Sequence, residues 1–133
     1  MLNGRPWLTK SIMDIYKKKI LIADDDQGIV DSLSLILEAM GYEVYSTLEG
    51  SRVIEEIKLM PDLLLIDIWM SGIDGRDICR LLKSSSATKH IPVLMISASR
   101  DNRQSALDSG ANDFLGKPFE MRVIGEKIIA LLA

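Results

Sequence analysis

Short apolar runs recur along this chain, and four of them lead directly into polar residues. Ile20-Leu21-Ile22-Ala23 runs into Asp24-Asp25-Asp26, and Asp62-Leu63-Leu64-Leu65-Ile66 into Asp67. Pro92-Val93-Leu94-Met95-Ile96 ends at Ser97, and Asp113-Phe114-Leu115 is followed by Gly116 and Lys117. Runs this short and rich in branched side chains read as strands buried on both faces. Residues 42–46 alternate and read as a further, half-exposed strand. Between the runs the period changes to that of a helix. Ile29, Val30, Leu33, Ile36, Leu37 and Met40 recur at helical spacing, with Asp26 placed as N-cap and Gly41 at the C′ position. Val53, Ile54 and Ile57 mark a short helix that ends before Pro61. Ser71-Gly72-Ile73-Asp74-Gly75 is loop chemistry, after which Ile78, Cys79, Leu81 and Leu82 are expected to face inward from a third helix. A fourth helix covers roughly residues 102–109 and stops at Gly110, and Val123, Ile124, Ile128, Ile129 and Leu132 build a fifth. Five alternations of strand and helix predict an α/β domain with a parallel sheet, right-handed crossovers and helices on both faces.

In such a sheet the carboxyl ends of the strands share one edge, where open α/β folds bind ligands. Asp24, Asp25, Asp67, Ser97 and Lys117 would converge there. Several carboxylates brought together repel one another, and a hard divalent cation relieves that repulsion. Magnesium takes oxygen ligands and commonly uses one or two carboxylates with a phosphate. A carboxylate beside it can attack phosphorus and form an acyl phosphate, with Lys117 as a neutralising cation and Ser97 as a hydrogen-bond donor. Taken singly, each residue has a plainer reading. An Asp triplet suits a solvated helix N-terminus, and Asp26 fills that role. A strand-end Asp is ordinarily the first residue of a loop, a Ser after a strand caps a helix, and Lys-Pro shapes a turn. Phe114, Met70, Ile73 and Cys79 read as packing, and His90 as surface loop.

Composition narrows the class. At 133 residues the chain is long enough for a single core, and 47% hydrophobic with 26% charged residues excludes a disordered chain. The net charge of −3 argues against nonspecific binding of nucleic acid or anionic membrane by the domain as a whole. One cysteine, Cys79, excludes an intramolecular disulfide and fits a reducing compartment. No continuous apolar segment suggests a secretory signal or a membrane span, so a cytoplasmic location is the default expectation. Residues 1–18 read as a loosely held N-terminal extension, with Trp7, Leu8, Ile12 and Ile15 at amphipathic spacing and Met13 as an alternative start. Residues 19–133 form the domain, with no room after the fifth helix for an output domain.

Together, ILIADDD, PDLLLIDIWMSGIDG, IPVLMISA and GANDFLGKPF resemble the receiver domain of two-component response regulators, over about residues 18–132. The resemblance implies a five-stranded, flavodoxin-like, chemotaxis-regulator-like fold with strand order 2-1-3-4-5. It implies Asp67 as phosphoacceptor, and Asp24 and Asp25 as the acidic pair for Mg2+, with Asp67 and the backbone carbonyl of Trp69 as further ligands. Ser97 matches the switch hydroxyl, Lys117 the family's lysine, Phe114 the switch aromatic that turns inward on activation, and Pro118 a frequently cis Lys-Pro bond. Ser71 stands where the family usually has proline, which predicts a less rigid loop, and Phe114 lacks the hydroxyl of the Tyr often found there. Trp69 places bulk beside the acceptor, which predicts slower loss of the phosphoryl group.

The implied function is to take a phosphoryl group from a histidine kinase or histidine phosphotransfer protein and to change a partner-binding face. Partners are a downstream protein or an output domain on a separate or longer chain, with no direct contact to nucleic acid or membrane. The domain is expected as a monomer or a phosphorylation-dependent dimer, acting on itself rather than turning over a metabolite. Three rival readings fit the residues less well. A pseudo-receiver lacks reactive residues that are present here. An aspartyl-phosphate hydrolase typically has a second acid two residues after its nucleophile, where this chain has Trp69. A flavin binder needs a Ser/Thr/Gly-rich phosphate loop after the first strand.

Overall fold

The structure, a computed structural model, describes residues 17–133. The amphipathic positions Trp7, Leu8, Ile12 and Ile15 lie outside the described residues. Five strands, β1 (Lys19–Ala23), β2 (Glu43–Thr47), β3 (Leu63–Asp67), β4 (Val93–Ser97) and β5 (Asp113–Gly116), form the main sheet. It is parallel throughout, in the order β2-β1-β3-β4-β5. The helices are α1 (Gln27–Ala39), α2 (Val53–Glu56), α3 (Gly75–Ser84), α4 (Arg103–Asp108) and α5 (Met121–Leu132). The flavodoxin-like fold and strand order expected from the resemblance are those observed.

Side-chain alternation explains the layers. Ile20, Ile22, Leu63, Leu65, Leu94 and Ile96 project to one face and meet Val30, Leu33 and Leu37 of α1 and Ile124 and Ile128 of α5. Leu21, Ala23, Leu64, Ile66, Val93, Met95 and Phe114 project to the other, against α2, α3 and α4. All residues of β3 and β4 are buried, as strands covered on both faces require, whereas β2 at the sheet edge is largely half-buried. The start of α1 follows its predicted chemistry: Asp26 accepts from the Ile29 N–H at 3.1 Å and caps the helix. Gly41 lies just beyond the α1 C-terminus at φ +97°, where a Cβ would be strained.

Two expectations need correction. Leu81 does not face inward: it is 55% exposed, because Ile78, Cys79 and Leu82 already complete the buried stripe of α3. The segment 71–75 is not simply a loop: Trp69–Met70 and Ile73–Asp74 pair antiparallel as a small hairpin. Ser71 and Gly72 turn it, both at positive φ (47° and 84°), the combination that suits a two-residue hairpin turn. Among the described residues, no helix is long and apolar enough to cross a membrane.

Candidate functional site at the carboxyl edge

Because the strands are parallel and in register, their ends bring dispersed residues to one place. Asp67, the last residue of β3, pairs with Ile96, and Ser97 pairs with Gly116 next to Lys117. Asp24 follows β1 directly, and its N–H donates to the Thr47 carbonyl at 3.2 Å. The Lys117 N–H donates to the Ser97 carbonyl at 2.7 Å, which sets the lysine at this edge. The Lys117–Pro118 peptide is cis, as the resemblance implied.

Carboxylate oxygens of Asp24, Asp25 and Asp67 all lie within 4.8 Å of one another. Asp24 is fully buried, and its Oδ1 accepts from the Asp26 N–H at 2.9 Å. Lys117 Nζ stands 2.8 Å from Asp24 Oδ2 and 3.3 Å from Asp67 Oδ2. The first contact is ionic without hydrogen-bond direction, so among the described residues Asp24 Oδ2 is buried with no directed donor. Burial first, and then the charge of Asp24, push the Asp67 carboxyl above its ordinary value, with Lys117 only partly opposing them. For Lys117 burial disfavours the ammonium, but Asp24 and Asp67 outweigh it and hold its pKa above the usual lysine value. One lysine thus faces two buried carboxylates, with a third close by. A hard divalent cation fits this all-oxygen donor set, because it would supply the positive charge that the lysine alone does not.

The surroundings fix Asp67 closely. A Cβ added to Gly75 would lie 2.6 Å from the Asp67 carbonyl oxygen, so only glycine allows α3 to start this near the loop. The Ser71 N–H donates to Asp25 Oδ2 at 3.2 Å. A proline there could neither donate that bond nor adopt a φ of 47°, so this hairpin geometry requires a residue other than proline at position 71. Trp69, two residues past Asp67, is 61% exposed. Beside Lys117 an apolar cleft of about 400 Å³ is lined by Ile29, Ala98, Pro118, Phe119 and Met121.

Ser97 and Phe114 both lie inside the fold, one at the carboxyl edge and one in the core. Phe114 is buried against the α2–α4 side of the core. Without a hydroxyl it has no polar end to keep at the surface. Ser97 Oγ instead has neighbours that sequence reading missed: it accepts from the Ser99 N–H at 3.1 Å and from Asn102 Nδ2 at 3.0 Å. His90 is exposed and distant in role, as expected of surface loop.

The family model described as the response regulator receiver domain matches residues 20–129. Among curated relatives, the DNA-binding response regulator MtrA of Mycolicibacterium smegmatis is 32% identical over 123 residues, covering 90% of this chain and 53% of that protein. The DNA-binding dual master transcriptional regulator RpaA of Synechocystis is 37% identical over 117 residues, covering 86% and 48% respectively. The chain therefore spans about half the length of these relatives. A solved CheY-like response regulator receiver domain protein from Methanospirillum hungatei superposes with a TM-score of 0.79 at 31% identity, covering 87% of this chain and 94% of that one.

Proposed function

The chain belongs to the response regulator receiver domains of two-component systems, and from that premise we propose that Asp67 is its phosphoacceptor. The observation that carries the reading is the meeting of three carboxylates within 4.8 Å around one lysine that contacts two of them. Asp67 attacks the phosphorus of a phosphohistidine in line. The new P–O bond forms as the P–N bond breaks, and the imidazole nitrogen keeps the electron pair and takes up a proton. Lys117, held by Asp24 and by the Ser97 carbonyl, stays beside the reacting oxygen and offsets negative charge there. Asp24, Asp25 and Asp67, with the Trp69 backbone carbonyl, would hold Mg2+. When bound, the ion supplies charge neutralisation for the carboxylates and the transferred group. Ser97 donates its hydroxyl proton to a phosphoryl oxygen, and that contact favours a second arrangement of the β4–α4 segment.

The donor is a histidine kinase or a phosphotransfer protein. The apolar cleft beside Lys117 suits a docking helix that delivers the phosphohistidine to the edge. The reader of the signal is a protein or an output domain on a separate or longer chain, and residues 19–133 are the unit that carries the switch. The net charge of −3 favours a protein reader over direct contact with nucleic acid. Catalysis is confined to the domain's own phosphorylation and hydrolysis, in the cytoplasm.

The test is intact-mass spectrometry after incubation with acetyl phosphate, with and without Mg2+, on the native protein and Asp67→Asn. The expected outcome is a Mg2+-dependent gain of one phosphoryl group that is absent from the variant. A gain that persists in Asp67→Asn rejects Asp67 as the acceptor. No gain, with a phosphohistidine donor also failing, makes the chain a pseudo-receiver.

A further inference from the structure

A line of hydrogen bonds, side chain to side chain except at the Asn102 backbone carbonyl, runs from the hairpin after Asp67 to the Ser97 hydroxyl. Asp74, paired with Trp69 in the hairpin, caps α3 by accepting from the Arg76 N–H at 2.9 Å. Its carboxylate also holds the Arg76 guanidinium through Nε at 2.9 Å and Nη2 at 2.7 Å. Arg76 Nη1 donates to Ser105 Oγ at 2.9 Å, across to α4. Ser105 Oγ donates to the Asn102 carbonyl at 3.0 Å, and Asn102 Nδ2 donates to Ser97 Oγ at 3.0 Å. These groups are partly buried, where directional bonds hold geometry well, and Ser97 itself is 5% exposed.

We propose that Asn102, fixed by Ser105 and Arg76, is the positioning residue that keeps the Ser97 hydroxyl in its resting place. The inference rests on the phosphoacceptor reading above, since it concerns what must yield when Ser97 turns to the phosphoryl group. Asn102 and the Ser99 N–H approach the acceptor side of Ser97 Oγ. The hydroxyl proton is thereby left to be donated, and a phosphoryl oxygen is the acceptor that draws it away. Moving Oγ breaks the bond from Asn102. Moving α4 breaks the bond from Arg76.

Removing the hold therefore has a distinctive sign. The resting arrangement loses a hydrogen bond that the switched one does not use, so the switched population rises and anything that binds it binds more tightly. The probe is beryllium fluoride with Mg2+, a stable stand-in for the phosphoryl group, titrated against the full chain and followed by amide resonances of Ser99 and Gly116. Asn102→Ala is expected to tighten binding about three- to tenfold, the range of one hydrogen bond. Ser105→Ala moves the same way by less, and Ser105→Thr, which keeps the hydroxyl, matches the native protein. Without ligand, the two amides in Asn102→Ala shift toward their ligand-saturated positions. A merely structural role predicts the reverse, weaker binding with a lower melting temperature. Unchanged or weaker binding in both alanine variants, while the native protein binds and Asp67→Asn does not, overturns the positioning role and leaves the acceptor standing. No binding by the native protein rejects the acceptor reading and this inference with it.

Discussion

On one face of the sheet, α1 and α5 run for 13 and 12 residues, and each buries a stripe: Val30, Leu33 and Leu37 in the first, Ile124, Gly125 and Ile128 in the second. On the other face, α2 and α4 are only four and six residues long, each burying a single residue of its own, Val53 and Ala106, with α3 between them. Turns of 3-10 helix precede both short helices. Helices of one or two turns have little stability of their own and depend on what they pack against. For α4 that is one alanine and a set of polar bonds through Asn102 and Ser105. Apolar packing is nondirectional and hard to undo in part, whereas hydrogen bonds break one at a time. The face with long helices is held by two extended apolar stripes, whereas α4 on the other face rests largely on hydrogen bonds.

Leu33→Ala gives the comparison its largest test. The side chain is fully buried between α1 and the sheet, and deleting it is expected to cost about 2–5 kcal/mol, read as the change in urea unfolding. Ala106→Gly in α4 removes far less and is expected to cost about 1 kcal/mol, chiefly helix propensity. Equal losses would mean that α4 is anchored as firmly as α1 and would remove the contrast between the faces.

Hydrogen exchange resolves the same contrast without a core deletion. Amides of α4 are expected to exchange through local opening well before those of α1 and α5, which open only with the whole domain. Ser105→Ala, by releasing Arg76 and the Asn102 carbonyl, should speed exchange in α4 and leave α1 unchanged. Uniform protection across all the helices would refute a separately mobile α4.

How much of this was legible in the sequence follows from how local each signal is. Four main strands announced themselves as apolar runs and β2 by its alternation, and the carboxyl-edge residues Asp24, Asp25, Asp67 and Lys117 stood out because each follows such a run. The same rule ended the strands one residue early: Asp67 and Ser97 belong to β3 and β4, since backbone pairing continues through the first polar side chain. The hairpin at 69–74 escaped because its strands are two residues long and its turn is Ser-Gly rather than Asn-Gly, though Gly72 was a usable sign. Arg76 and Asn102 could not be found locally. Arg76 meets Ser105, 29 positions away, and a polar residue at a helix start reads as a cap until the fold shows which hydroxyl it touches. Leu81 was misplaced because helical spacing alone does not say how wide the buried stripe is.

The smallest expected effect concerns the charge stored at the carboxyl edge. Asp67 is 8% exposed, and burial together with the charge of Asp24 raises its pKa in the fold. A carboxyl whose folded pKa lies above its unfolded value binds its proton more tightly when folded, so ionising it costs stability. That cost is absent below the unfolded pKa, grows as pH rises through the folded one, and is fully present above it. Asp67→Asn keeps the shape and removes the charge. Without divalent cation at pH 7 the variant is expected to melt a few degrees above the native protein, and the gap should close as pH falls through the carboxyl range. Adding Mg2+ should reverse the order, because a cation that binds only the folded site stabilises the protein that keeps all three carboxylates. If the variant instead melts lower without cation, the 3.3 Å pairing of Lys117 with Asp67 outweighs burial and repulsion. The edge would then be a settled ion pair rather than a cluster of carboxylates held together against their own repulsion.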